Sequence, residues 1–204
     1  MIRIAQILSY LLHPSLMPTM ALMLVLSIDS YLAYSINKQY KWFLYTLVFV
    51  NTFIFPVIIT LVMYQRKIIS SLQLKKRSER IYPFGFAVGF YFFTYFLLKK
   101  TAIPQVLLSI ILGSTLTLLA VFLITFKYKI SAHMAAITGL LGALLAIFIT
   151  FQANYSNAIL LIALIWGFLA SARLKLKAHS HSEIYGGSLV GGILVFMSVF
   201  FSWG

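Results

Sequence analysis

Seven stretches of this chain are apolar enough, and long or nearly long enough, to cross a lipid bilayer, and no other feature limits its fold as tightly. They run about 16–34, 42–64, 81–98, 103–126, 134–151, 158–172 and 184–203. The third and sixth are short, and an apolar lead, 4–12, precedes the first. Hydrocarbon satisfies no backbone polar group, so runs of this kind fold as helices. The expected fold is all-α, a polytopic transmembrane helix bundle of six or seven spans, with residues 1–204 as one domain.

Composition agrees. The chain is 62% hydrophobic and 9% charged, where soluble domains carry about 25% charge. Most of its surface must face lipid. No linker, low-complexity run or internal repeat is visible, so the inverted-repeat signature of many transporters is missing. Arg3 followed by an apolar run resembles a signal peptide. His13, Pro14 and Pro18 interrupt that run and no small-residue cleavage site follows, so the segment is read as retained.

The net charge is +13, from 16 Lys and Arg against Asp29, Glu79 and Glu183. In a soluble chain this would suggest nucleic acid. Between apolar spans, basic residues instead orient the protein in the bilayer, and no nucleic acid is expected. With seven spans, the N-terminal side collects Arg3, Arg66, Lys67, Lys75, Lys76, Arg77, Arg80, Lys127, Lys129, Arg173, Lys175 and Lys177. The opposite side collects Lys38, Lys41, Lys99 and Lys100. The positive-inside rule makes the richer side cytoplasmic. There is no cysteine, hence no disulfide, thiolate metal site or thiol nucleophile.

Three loops on the richer side hold nearly all the chemistry. Two spans separate each from the next, so topology alone brings them to one face. In the third loop His179 and Glu183 lie four apart, one helical face if the segment is helical. A carboxylate there can take the proton of one imidazole nitrogen and leave the other free to attack. Arg173, six residues earlier, can clamp an oxyanion by a bidentate fork. A solvated loop whose Glu offsets nearby Lys would use the same residues. In the second loop Ser131 suits a helix N-cap, and His133 follows where first-turn N–H groups attract phosphate. A capped helix with an interfacial histidine is the plainer alternative. The first loop carries Lys75, Lys76, Arg77 and Arg80 with one acid, Glu79: a phosphate clamp or a topogenic loop. Much cation and little carboxylate suits a phosphate ester better than a divalent metal, which wants oxygen ligands.

The arrangement resembles the type 2 phosphatidic acid phosphatase family, whose motifs are K-x6-R-P, P-S-G-H and S-R-x5-H-x3-D. Ala172-Arg173, five residues, His179, three residues and Glu183 keep the spacing of the third, with Ala for Ser and Glu for Asp. Ile130-Ser131-Ala132-His133 looks like the second, with Ile for Pro and Ala for Gly. Lys75, six residues and Tyr82-Pro83 keep the spacing of the first with Tyr for Arg, and Arg80 stands two residues earlier. The segment 12–18 resembles the N-terminus of a small, divergent bacterial branch, and the likeness spans roughly residues 10–200.

The resemblance implies a lipid phosphate or isoprenoid diphosphate substrate, no metal or other cofactor, and a bacterial plasma membrane. It implies His179 as nucleophile through a phosphohistidine, Glu183 as its orienting group and His133 as general acid. Arg173, Lys75, Ser131 and Arg80 would hold the phosphoryl oxygens. The lost motif-one Arg and motif-three Ser remove two phosphate contacts, which keeps open a non-catalytic relative that binds lipid phosphate or scaffolds a complex. The family usually places its site outside the cytoplasm. Without Lys75, Arg80 and Arg173 the charge count still favours the cytoplasm, nine against four.

Two other classes compete. A transporter or channel would want ionisable residues within its spans, and these hold almost none. A metal enzyme would use His179, His181 and Glu183. Gly139, Gly142 and Ala146 in the fifth span, and Gly187 and Gly191 in the seventh, make small-residue faces. Packed on each other inside the bundle they bring His133 near His179; the same faces can serve a dimer.

Overall fold

The computed structural model describes residues 2–28, 31–74 and 76–203. Seven helical segments are long and apolar enough to span a membrane, and no strand occurs among the described residues. The protein is an all-α polytopic bundle.

The first span, Arg3–Ser27, joins what the sequence reads as a lead and a first stretch. It comprises α1 (Ile2–Leu11) and α2 (Met17–Ser27), and 31–34 fall outside it as the single turn α3 (Tyr31–Tyr34). The break lies at His13–Pro14. A residue before proline is pushed out of the helical region, and His13 is extended at ψ 133°. Its Nδ1 accepts the Ser15 N–H at 3.3 Å and restarts the chain.

The second span is α4 (Lys38–Phe49), a π-helical turn (Val50–Ile54) and α5 (Phe55–Gln65). Pro56 brings no N–H to the ladder, and the wide turn sits just before it. The turn buries Asn51 and Thr52, and the Thr52 hydroxyl donates to the Ser15 carbonyl at 3.1 Å. The remaining spans are α6 (Ile81–Lys99), α7 (Gln105–Thr125), α8 (Ala132–Phe151), α9 (Ser156–Lys175) and α10 (His181–Phe200). The sixth span is not short: α9 runs 20 residues, because Arg173 and Lys175 continue the helix as its last turn. Cations there complement the helix dipole.

The core centres on α8, whose Met134, Ile137, Ala143, Leu144, Ala146 and Ile147 are sealed from the surface. Large apolar side chains such as Phe86, Phe93, Leu160 and Phe168 point outward. That inversion fits a lipid solvent.

The most extensive helix pair is α8 with α10, and it is parallel: Ser131 meets Gly187, Ala135 meets Gly191, and Gly142 meets Gly192. A Cβ on Gly187 would lie 2.5 Å from the Ser131 carbonyl oxygen, and one on Gly191 would overlap that of Ala135. The small-residue faces therefore pack inside the bundle, the arrangement expected to draw the two histidine loops together.

Candidate functional site

The site lies where the N-termini of α8 and α10 adjoin the C-terminus of α9. After Lys175 the chain reverses through Leu176 and Lys177, the latter at φ 48°. The turn tucks His179 inward, to 7% exposure. His179 and Glu183 do not share a helical face, because His179 precedes the cap of α10. Ser180 is that cap, and its hydroxyl accepts the Glu183 N–H at 3.4 Å. Ser180-x-x-Glu183 has the sequence of a capping box, in which the Glu would turn back to the cap's own N–H. Here the carboxylate instead takes the His179 Nδ1–H, at 2.6 Å to Oε2. The capping-box spacing was a legible signal that the sequence reading did not use.

The pair has ion-pair distance but a neutral ring. Burial, then the charges of Arg80, Arg173, Lys129 and His133, hold His179 far below the usual histidine value. A neutral imidazole whose Nδ1–H is spent on Glu183 keeps its lone pair on Nε2. That is the form a nucleophile needs.

Glu183 also fixes the second loop. Its carbonyl accepts the Ser131 N–H at 3.0 Å. Ser131 stands at the N-cap of α8, but its hydroxyl makes no capping bond. It is 0% exposed and has no hydrogen-bond partner among the described residues. Arg173 Nε, also buried, lacks a partner in the same way. They are two of eight buried side-chain polar atoms without a partner among the described residues, the other six belonging to Thr19, Asn51, Ser71, Glu79, Thr117 and Thr150. A hydroxyl and a guanidinium N–H are both donors that the oxygens of an anion can satisfy.

Arg80 is 5% exposed and braces two loops, donating from Nε to the Leu74 carbonyl (2.9 Å) and from an Nη to that of Ile130 (3.2 Å). These bonds use part of its donor set. Lys129 is the cation that sequence reading missed. Its Nζ donates to the Ala178 carbonyl at 2.8 Å, one residue from His179. Burial, then Arg80, lower its pKa; Glu183 works the other way and Arg173 adds to the lowering. Its signal was its place two residues before Ser131, hidden because Lys127 and Lys129 read as topogenic.

His133 opens α8. Its Nε2 pairs with the Ser9 carbonyl of α1 at 3.1 Å, and its ring stands edge-on to His13 with centroids 6.1 Å apart. A carbonyl only accepts, so Nε2 carries the proton and Nδ1 is the free nitrogen. Lys75 lies outside the described residues. Glu79 stays apart from the site, with Oε1 3.9 Å from Lys76 Nζ. His181 is exposed on the first turn of α10. No group of three His, Asp or Glu placed to hold a metal occurs among the described residues.

The structure thus brings together His179, Glu183, His133, Ser131, Arg80 and Arg173, and adds Lys129. Comparison with protein-family models, curated proteins and solved structures found no match.

Proposed function

We propose that this protein is a membrane-embedded phosphatase, similar to type 2 phosphatidic acid phosphatases, acting on a lipid phosphate or isoprenoid diphosphate through a phosphohistidine. The observation that carries this reading is the 2.6 Å His179–Glu183 bond within a ring of cations. Arg80, Arg173 and Lys129 act on His179, and Glu183 is the carboxylate among these described residues, which leaves two positive charges unbalanced.

The chemistry follows from the residues. Glu183 holds the Nδ1–H while His179 Nε2 attacks phosphorus; the N–P bond forms as the P–O bond to the leaving group breaks. His133 gives that oxygen a proton. With its Nε2–H on Ser9, His133 must enter this step as the imidazolium, with a second proton on Nδ1, and it is that Nδ1 proton which passes to the leaving oxygen. Water then attacks phosphorus, returns a proton to His133 and breaks the P–N bond, releasing phosphate. The cations and the Ser131 hydroxyl stabilise charge on the equatorial oxygens, which is most of what phosphoryl transfer asks of a protein. We place the chain in a bacterial plasma membrane with the site at the cytoplasmic end, on the charge asymmetry of its loops.

A second reading has its own support. The His133 bond to Ser9 and the Arg80 bonds to two carbonyls suit a relative that binds lipid phosphate without hydrolysing it. One experiment separates the two: phosphate release by detergent-purified protein from mixed lipid phosphates and isoprenoid diphosphates, with chelator present, beside His179→Ala. Chelator-resistant release lost in His179→Ala is expected. Binding without release supports the second reading, and equal release from both samples rejects His179 as nucleophile.

A further inference from the structure

Lys129 belongs to no motif of the resemblance, yet it sits closer to the chemistry than its sequence position suggests. Its ammonium is anchored on the carbonyl of Ala178, the residue before His179. The next residue, Ile130, gives its carbonyl to Arg80, and the one after, Ser131, gives its N–H to Glu183. The segment 129–131 is therefore stitched to Arg80, to the His179 turn and to α10 by three separate bonds. An ammonium has three donors, and Ala178 takes one. Lys129 is only partly buried, so the others are open to a ligand.

Charge sets what that ligand is. Among the described residues, and with His133 neutral before the reaction, Arg80 and Arg173 against Glu183 would balance a single negative charge. Lys129 raises the balance to two. A phosphate monoester carries about −1.5 to −2 at neutral pH, whereas a diester carries about −1. We infer that Lys129 is the third phosphate-binding cation of this site and the residue that selects a dianionic phosphoryl group over a phosphodiester. The inference rests on the reading of the site as a phosphate site and names which phosphates it takes.

The alternative is that Lys129 only staples the loop. A staple would not distinguish one anion from another. The test is thermal stabilisation of the detergent-purified protein by inorganic phosphate, by dimethyl phosphate and by octyl phosphate. It compares wild type, Lys129→Gln, Lys129→Arg and, as the site control, Arg173→Gln. Wild type should respond to inorganic and octyl phosphate and weakly to dimethyl phosphate. Lys129→Gln should raise the half-saturating inorganic phosphate by about tenfold or more, the worth of one hydrogen bond to a charged group, and erase the preference over dimethyl phosphate. Lys129→Arg should restore most of both. Tighter binding of octyl than of inorganic phosphate assigns the anion to a lipid head group, and equal binding to free phosphate; either keeps the role of Lys129. If Lys129→Gln keeps wild-type selectivity while Arg173→Gln loses the response, Lys129 is only a staple and the phosphate site stands. No response in wild type removes the site and the inference together. Should Lys129→Gln fail to fold, an unaltered selectivity in Lys129→Arg at higher salt overturns the charge argument, because screening weakens a dianion's advantage first.

Discussion

At the scale of single residues, the site is organised around one proton, that on His179 Nδ1. Glu183→Gln keeps the shape but loses the charge that fixes this tautomer. Its turnover should fall by roughly 10²–10⁴-fold with little change in KM, by analogy with removing a general acid–base or its orienting partner. A stopped assay of phosphate release checks it. The same ring makes stability depend on pH. Its folded pKa lies below the unfolded value of 6.5, so below that pH the unfolded chain takes a proton that the folded chain refuses. Stability is then greatest above about pH 6.5 and declines toward acid, by at most about 1.4 kcal/mol per pH unit from this group. Melting from about pH 7 to about pH 5 should show a shallower decline in His179→Gln than in wild type, and equal declines would discount the ring's role. Much at this scale was legible: a carboxylate four residues from a histidine, with an arginine six before it, is a local pattern. What escaped was non-local. That His133 spends its Nε2–H on Ser9, 124 residues away, and that Lys129 leans on Ala178, 49 residues away, depends on how helices meet.

At the scale of elements, α8 and α10 decide whether the site exists. Their backbones touch at Ser131–Gly187 and Ala135–Gly191. Gly191→Val forces the pair apart and should cost about 1–3 kcal/mol or more as overpacking. It should also lower phosphate release, because it separates His133 from His179. Gly167→Ala on α9, where a Cβ meets nothing within 4 Å, should leave melting and activity unchanged. Thermal unfolding of both variants in detergent tests the contrast. Spacing showed the small-residue faces, and the lengths of the apolar stretches showed the spans to within a few residues at most ends. The exceptions have local causes. The first span begins near Arg3 rather than residue 16 because a proline break does not stop two short helices from completing one crossing. The sixth extends to Lys175 because long basic side chains bury their stems while their heads reach water.

At the scale of the whole molecule, a chain without cysteine invites labelling. Single cysteines at Ser182 and Lys100 lie at opposite ends of the bundle. A membrane-impermeant maleimide should reach position 100 from outside intact cells and position 182 only after lysis, if the basic end is cytoplasmic. The reverse pattern would put the site outside. Hydropathy reveals the number of crossings because lipid imposes it on every helix alike. Sidedness is harder to extract, since a phosphate site and a cytoplasmic loop are both basic.

The α8–α10 contact has a last implication, for how such a chain can change over generations. Across most helix pairs a larger side chain on one partner is accommodated by a smaller one on the other, so both positions drift together. At Gly191 the obstacle is the carbonyl oxygen of Ala135. Every amino acid carries that oxygen, and no replacement at 135 removes it. Position 191 has no compensating mutation available to it. The neighbouring Leu189, whose side chain points into lipid, is free to wander among apolar residues.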